Sequence, residues 1–451
     1  MPVTSAASDT ADLTRLAEAA LGAATRAGAT SADTVVAAGT STSVTLRNGV
    51  MEEVERSEGA DIGLRVFVGA RSAIVGVGSE RDLADAAARA VAMARAAPED
   101  DTVALAAAEA LAAAPFPDLD LDDREEPDVD ALTARARAME EAMLDVAGVT
   151  NSGGVSAGAR RSMRVLATTS GFLGAVTATT HSQSATAIAG DGTRMERDSW
   201  GSVRRHLAAL DDPAEIGRTA AARTVRRLDA QQLTTRKGTI VFEPRVAAGF
   251  VGHLLSAANG AAVARGASIL AGKIGEAVLA KGITIRDDPT RPRGLASRPF
   301  DGEGLASAPI DIVADGALAA YILDCATARR LGLTSNGRAA RGTGSPSPAS
   351  TNVSVLGGSG DLASLMKEAG EGVLVTDLIG MGANIVNGTY SRGAAGFWFE
   401  NGEIAYPVAE ITVAGSLAEM FAAARFADDA PGRGAVDAPS IAIDGMTIGG
   451  R

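Results

Sequence analysis

Residues 9–27 carry Leu13, Leu16, Ala17, Ala20 and Leu21 on one helical face, and Gly28 follows as a stop, which predicts a helix. Three short β-branched or alternating runs come next, Thr34–Ala38, Ser43–Arg47 and Val50–Ser57, with Asn48-Gly49 between the last two. Asn-Gly between such runs predicts a tight hairpin, because both turn positions need a positive φ. Ile62–Val68 and Ser72–Val77 predict a second hairpin turning at Gly69-Ala70, and 82–96 an Ala-rich helix ended before Pro98. Residues 115–130 are acidic and punctuated by proline, so they read as an exposed, solvated connection. A helix is expected over 129–146. The β-like runs Val149–Ala157, Ser162–Thr169, Phe172–Ala189 and Arg194–Ala209 follow. The alternation of Ser182, Ser184, Thr186 and Ile188 suits an antiparallel sheet with one wet face. Pro213–Leu228 reads as a helix with Arg223, Arg226 and Arg227 near its C-terminus, where cations suit the helix dipole.

The polar stretch Gln231–Lys237 is the expected domain boundary, dividing the chain into 1–232 and 233–451. A strand over Gly238–Glu243 opens the second part. Pro244 starts an apolar helix whose stretch runs from Val246 to Ala264. Beyond it, Gly-rich segments alternate with short β-like runs up to Val413, and Arg338–Ser350 reads as a mobile surface loop. The pattern predicts an α+β fold: an N-terminal α/β domain of antiparallel strands with long helices, then a β-rich C-terminal domain with one apolar helix.

Composition narrows the chemistry. The net charge of −13 gives no bulk reason to bind a polyanion, so no nucleic-acid partner is expected. One Cys rules out an intrachain disulfide and a four-thiolate zinc site. The apolar stretch at 246–264 contains His253, Ser256 and Asn259, so it reads as a buried helix and no membrane partner is expected. The start, Met1-Pro2-Val3-Thr4, has no basic, apolar secretory pattern, and a cytoplasmic location follows as the expectation.

Several familiar strings fail on context. Gly154-Val155-Ser156-Ala157-Gly158 matches a nucleophile elbow, but a strand, not a helix, is predicted after it. Asp118–Asp122 begins like a calcium loop, yet Asp123 and Val129 stand where Gly and Glu are needed. Gly272-Lys273 is followed by Ile274 instead of the Ser or Thr of a phosphate loop. The three His, at 181, 206 and 253, are too far apart to pair on one helix turn, and each reads as a surface or hydrogen-bonded structural residue. Cys325 reads as a buried, inert thiol in an apolar strand.

The second part carries denser strings: RVAAGFVGHLLSAANG at 245–260, GLASRPFDGEG at 294–304, ATARRLG at 326–332, TYSRGAAGFWF at 389–399 and ENGEIAYPV at 400–408. In this order they resemble the TldD/PmbA family, and within it the PmbA (TldE) branch. The strong likeness covers about 240–422, with a softer one at 60–77 (ADIGLRVFVGARSAIVGV).

The resemblance implies a zinc metalloprotease of two related subunits, in which the TldD branch carries His-Glu-x-x-x-His on the helix after the first strand of its C-terminal domain. A Cys completes that family's site. Here the helix reads Ala248-Gly249-Phe250-Val251-Gly252-His253, so only His253 remains and Ala248 and Gly249 replace a ligand and the general base. The expectation is no metal and no cofactor in this chain, with zinc in a TldD-like partner. The partners implied are that catalytic subunit, or a homodimer in its absence, and an unfolded or short peptide. A stand-alone peptide-binding or scaffolding homodimer is the alternative.

The residues themselves leave two readings of the 389–408 segment. Asn401-Gly402 predicts another hairpin, with Pro407 confining its second strand to an edge or an end. Ser391, Gly393, Gly396, Phe397 and Trp398 either receive an extended peptide at a sheet edge or form a glycine-permitted core hairpin.

Overall fold

A computed structural model describes residues 9–451. The N-terminal part contains α1 (Thr10–Arg26), β1 (Ser31–Arg47), β2 (Val50–Val68), β3 (Arg71–Val77), α2 (Leu83–Ala96), α3 (Val129–Leu144), β4 (Val149–Thr168), β5 (Leu173–Ala189), β6 (Glu196–Arg204) and α4 (Pro213–Val225). The strands form one antiparallel sheet in the order β3-β2-β1-β4-β5-β6. Both predicted hairpins turn where expected, with Asn48 and Gly49 at φ 51° and 75°. The short runs merge, however: Thr34–Ala38 and Ser43–Arg47 are one strand, as are Val50–Ser57 and Ile62–Val68. Polar residues interrupted the pattern without interrupting the ladder, because register continues through Gly39↔Gly59.

Alternation along these strands assigns two faces. Ala32, Val36, Val44 and Leu46 of β1 lie under the helices, α1 and α2 covering one end of the sheet and α3 and α4 the other. Asp33 and Val35 point to the opposite face, where loops of the C-terminal part pack; Val35 meets Phe172 and Phe300. The 115–128 stretch forms no helix or strand, in keeping with a connection, but it is not a solvated linker. Leu119 and Leu121 are buried, Asp122 pairs with Arg161, and Asp123 lies against His181 and His206. The acidic pattern marked carboxylates that meet Arg161 and two histidines beneath, so the segment is a strap.

The C-terminal part contains β7 (Arg236–Phe242), α5 (Pro244–Ala257), α6 (Gly260–Ala264), β8 (Thr284–Asp288), β9 (Ile310–Ala314), β10 (Ala317–Leu318), α7 (Cys325–Leu331), β11 (Ala339–Ala340), β12 (Ser347–Pro348) and β13 (Asn352–Leu356). Then come α8 (Leu362–Ala369), β14 (Gly372–Ile379), β15 (Thr389–Glu400), β16 (Glu403–Ser416), α9 (Leu417–Ala423), β17 (Arg425–Phe426), β18 (Val436–Asp437) and β19 (Ile441–Gly449). The sheet β16-β15-β14-β7-β19-β17 gains a further β16–β19 pairing and so curls into a partial barrel. Helix α5 packs against one face and α8 against the other. The fold is α+β.

Three local expectations need correction. The apolar stretch 246–264 is two helices, not one: Asn259 leaves the helix, and its side chain caps Ala261, while Gly260 lies tight against Ile322 and Leu323. Arg338–Ser350 lies only partly on the surface: Gly342, Gly344, Ser345 and Ser347 are exposed, but Arg338, Ala339, Arg341 and Pro348 are buried. Arg338 is fully buried, pairs with Asp287 at 3.1 Å and donates to the Ala308 carbonyl. The close approach is permitted from the other side, by Gly63 of β2, where a Cβ would strike the Thr343 backbone. Cys325 is buried but opens helix α7, behind a capping box formed by Asp324 and Thr327.

Candidate site around helix α5

Pro244 occupies the first turn of α5, where its missing N–H costs nothing. Val246, Ala247, Phe250, Val251, Leu254 and Leu255 form the buried face, with Phe250 against Phe242 and Phe421. The other face carries Arg245, Ala248, Gly249, Gly252, His253 and Ser256. A Cβ built on Gly249 or Gly252 would meet nothing within 4 Å, so open space fronts this face.

Ala248 lines a cavity of about 570 Å³ with Trp200, Arg223, Glu243, Arg245 and Arg433. Its polar wall is a compact ion-pair network. Asp198, buried on β6, lies 2.9 Å from Arg245 and 3.2 Å from Arg223. Glu243 takes Arg223 at 2.6 Å and Arg245 at 3.2 Å. Burial alone raises the Asp198 carboxyl, but Arg245 and Arg223 outweigh it and hold it below its usual range. Arg223 and Arg433 also stack over the Trp200 ring, each 5.1 Å from its centre. The network ties α4, β6 and the start of α5 into one wall. Sequence reading placed Arg223 only as a dipole-compensating cation; its partners stand 20 to 25 residues away, beyond any local pattern.

His253 is half-buried further along the helix, its ring 6.0 Å from Tyr390 in an edge contact. Burial, then the Arg392 charge, pushes its pKa down, so the neutral imidazole is favoured. Burial pushes the Tyr390 hydroxyl up to about 12. Ala248, Gly249 and His253 thus share the exposed side of one helix, with Arg392 and Tyr390 beside His253.

Ser391 and Gly393 sit near that end of β15, exposed and half-buried respectively. Phe397 and Trp398 are core residues, 6% and 3% exposed, pointing to opposite faces of the sheet under α8 and α5. A Cβ on Gly396 would land on the Leu374 carbonyl. Because β14 and β16 flank β15, the strand has no free edge for a peptide. Of the two sequence readings, the core hairpin describes Gly396, Phe397 and Trp398. Pro407 lies inside β16, on its outer side, and its carbonyl accepts from Gln231.

The remaining candidates lie apart. Ser156 is in mid-strand on β4, 3.0 Å from the Ser184 hydroxyl, with no elbow geometry. His181 and His206 share Asp123, each at 3.0 Å, and pin the strap to the sheet. The Cys325 thiol is pushed strongly up by burial and Glu303, which makes it a poor nucleophile.

A two-layer N-terminal unit is joined to a partial barrel that carries an apolar helix directly after its first strand. The sequence matches the family domains described as PmbA/TldA metallopeptidase domain 1 over 32–94, the central domain over 122–228, and the C-terminal domain over 235–450. It is 35% identical over 433 residues to a "Metalloprotease PmbA homolog" of Haemophilus influenzae, covering 95% of this chain and 94% of the relative. It is 36% identical to "Metalloprotease PmbA" of Escherichia coli O157:H7, over 71% of this chain and 70% of that one. The fold superposes on TldE of Thermococcus kodakarensis with a TM-score of 0.85 at 20% identity, over 96% of this chain and 100% of that one. The chain belongs to the PmbA/TldD metallopeptidase family. Among the described residues, no helix is long and apolar enough to cross a membrane.

Proposed function

We propose that this chain is the TldE-like subunit of a TldD/TldE-type zinc metalloprotease acting on unfolded or short peptides, and that the zinc is held by a TldD-like partner. The observation that carries this is the chemistry of the exposed face of α5. Ala248 and Gly249 can neither coordinate a metal nor accept a proton. The donor set does not fit a zinc ion: His253 stands beside the Arg392 cation, and among the described residues no three His, Cys, Asp or Glu side chains converge as ligands. The helix is otherwise intact, with its apolar face fully packed, so the scaffold is kept while the donors are gone. The open space in front of Gly249 and Gly252 suits an extended peptide passing along the helix.

Co-expression with a chain bearing an intact His-Glu-x-x-x-His tests the pairing. Native mass spectrometry should return an equimolar complex. A stable homodimer that ignores such a chain would instead favour the scaffolding alternative.

A further inference from the structure

The face of the N-terminal sheet opposite the helices holds a second cavity, of about 440 Å³, at the junction with the C-terminal part. Its floor is β1, β2 and β4, and its far wall is Ser297 and Arg298. Alternation along β4 sends Arg160, Ser162 and Arg164 to this same face. Arg205, just past β6, and Arg298 close in from the sides.

Four arginines line this space in a chain of charge −13, and among the described residues none of them has a carboxylate within ion-pair distance. Arg160 donates no side-chain hydrogen bond among the described residues, and the other three are held mainly by backbone carbonyls. Arg164 donates to Arg341 at 3.0 Å, Arg205 to Thr179 and Gly294 at 3.1 and 3.2 Å, and Arg298 to Ala339 at 2.8 Å. The Arg298 Nε is buried without a partner. The nearest carboxylates are already committed: Asp301 accepts three backbone amides, and Asp287 pairs with Arg338 and Thr351. Asp61 alone stands on the rim. Burial pulls Arg164, Arg205 and Arg298 down, Arg298 to about 10; the Asp301 charge opposes this at Arg164 and Arg298 but does not outweigh it.

Three guanidinium groups positioned by carbonyls and a fourth, Arg160, free on the open side, none of them ion-paired, form a site suited to a planar oxyanion. The volume falls within the range of about 300–1,000 Å³ typical of small-molecule sites, larger than a free inorganic ion needs. Ser41, Ser57 and Ser162 supply hydroxyls beside the arginines, and Gly39 and Gly59 keep the floor low.

We propose that this cavity binds a carboxylate of a short peptide, either an acidic side chain or the C-terminal group. The choice of a peptide over another carboxylate rests on the proposed role in a peptidase; the charge argument does not. Loss of this binding would leave the zinc and pairing measurements untouched, so the two readings fail separately.

The test is calorimetric titration of the purified chain with four probes. They are acetyl-Ala-Ala-Glu-Ala amide, acetyl-Ala-Ala-Gln-Ala as the free acid, its amide, and inorganic phosphate. Binding of either charged peptide, with the neutral amide at least tenfold weaker, supports the site and tells which carboxylate it takes. Equal binding of the neutral amide, no binding of any peptide, or phosphate binding tighter than every peptide overturns it. Arg298→Lys, which keeps charge but loses the fork, risks misfolding. Arg160→Glu is the control, because Arg160 is exposed and makes no hydrogen bond among those of the described residues. It should weaken the bound peptide about tenfold while near-ultraviolet circular dichroism stays unchanged. Unchanged affinity in both Arg160→Glu and Ser162→Asp would also overturn the proposal.

Discussion

Removing one carboxylate should loosen the junction between the two parts of the molecule. Asp33 on β1 is 1% exposed and faces two buried arginines, Arg65 on β2 and Arg341 from the segment after β11. Arg65 Nε lies 3.0 Å from Asp33, and Arg341 stands 2.8 Å away without full hydrogen-bond alignment. Asp33→Ala leaves both guanidiniums buried and unpaired. Breaking a buried pair by removing one partner costs about 3–5 kcal/mol, a large share of the roughly 5–15 kcal/mol that holds a domain folded. Arg341→Met should cost clearly less, since Asp33 keeps Arg65. The assay is urea unfolding at pH 7, followed by tryptophan fluorescence. Burial alone raises the Asp33 carboxyl, but Arg341 and Arg65 outweigh it and hold it below its usual range. A depressed carboxylate stabilises fully above the unfolded value, about 3.9, and that stability is lost as pH falls through the folded value. The gap between parent and variant should therefore be complete at pH 7 and close on acidification. A loss below about 1 kcal/mol, or Arg341→Met proving the worse variant, would refute the reasoning.

Other consequences are equally open to measurement. Burial pushes Glu303 up to about 7 from 4.5, so the folded state loses stability as pH rises between those values; Glu303→Gln should be up to about 3 kcal/mol more stable than the parent at pH 8 and level with it near pH 4, by urea unfolding. Because the His253 pKa is depressed, its nuclear magnetic resonance signals should titrate below the ordinary value, and acidification through that range should cost stability. Gly249→Ala faces open space on a helix and should be neutral or gain up to about 1 kcal/mol in thermal unfolding, whereas Gly396→Ala collides with the Leu374 carbonyl and should destabilise. Phe397→Ala should cost about 3–5 kcal/mol of stability, as expected of a core residue.

Hydrophobic periodicity located nearly every long element, because α1, α2 and α4 each bury a single stripe and the hairpin turns need residues of positive φ. It failed where the energetics are long-range. Nothing local to Arg338 reveals that Asp287 will receive it from 51 residues away. Nor does the acidic run at 118–123 disclose that its carboxylates meet Arg161 and His181 on the sheet and His206 just past β6. The α5 helix was legible because its motif is local to one helix. The Phe397-Trp398 run left two readings open because sequence cannot show that α5 and α8 cover both sides of the sheet. The arginine-lined cavity was invisible for the same reason: alternation places Arg160 and Arg164 on one face, but only the fold delivers Arg205 and Arg298 to it.

The most direct test of the subunit assignment is the zinc content and peptidase activity of the purified chain, measured alone and after reconstitution with a chain carrying His-Glu-x-x-x-His. Alone, it should hold far less than one zinc per chain by plasma mass spectrometry and leave an unstructured peptide uncut, while the reconstituted pair should cleave faster than the partner by itself. One zinc per isolated chain, together with cleavage that a chelator abolishes, would contradict the account.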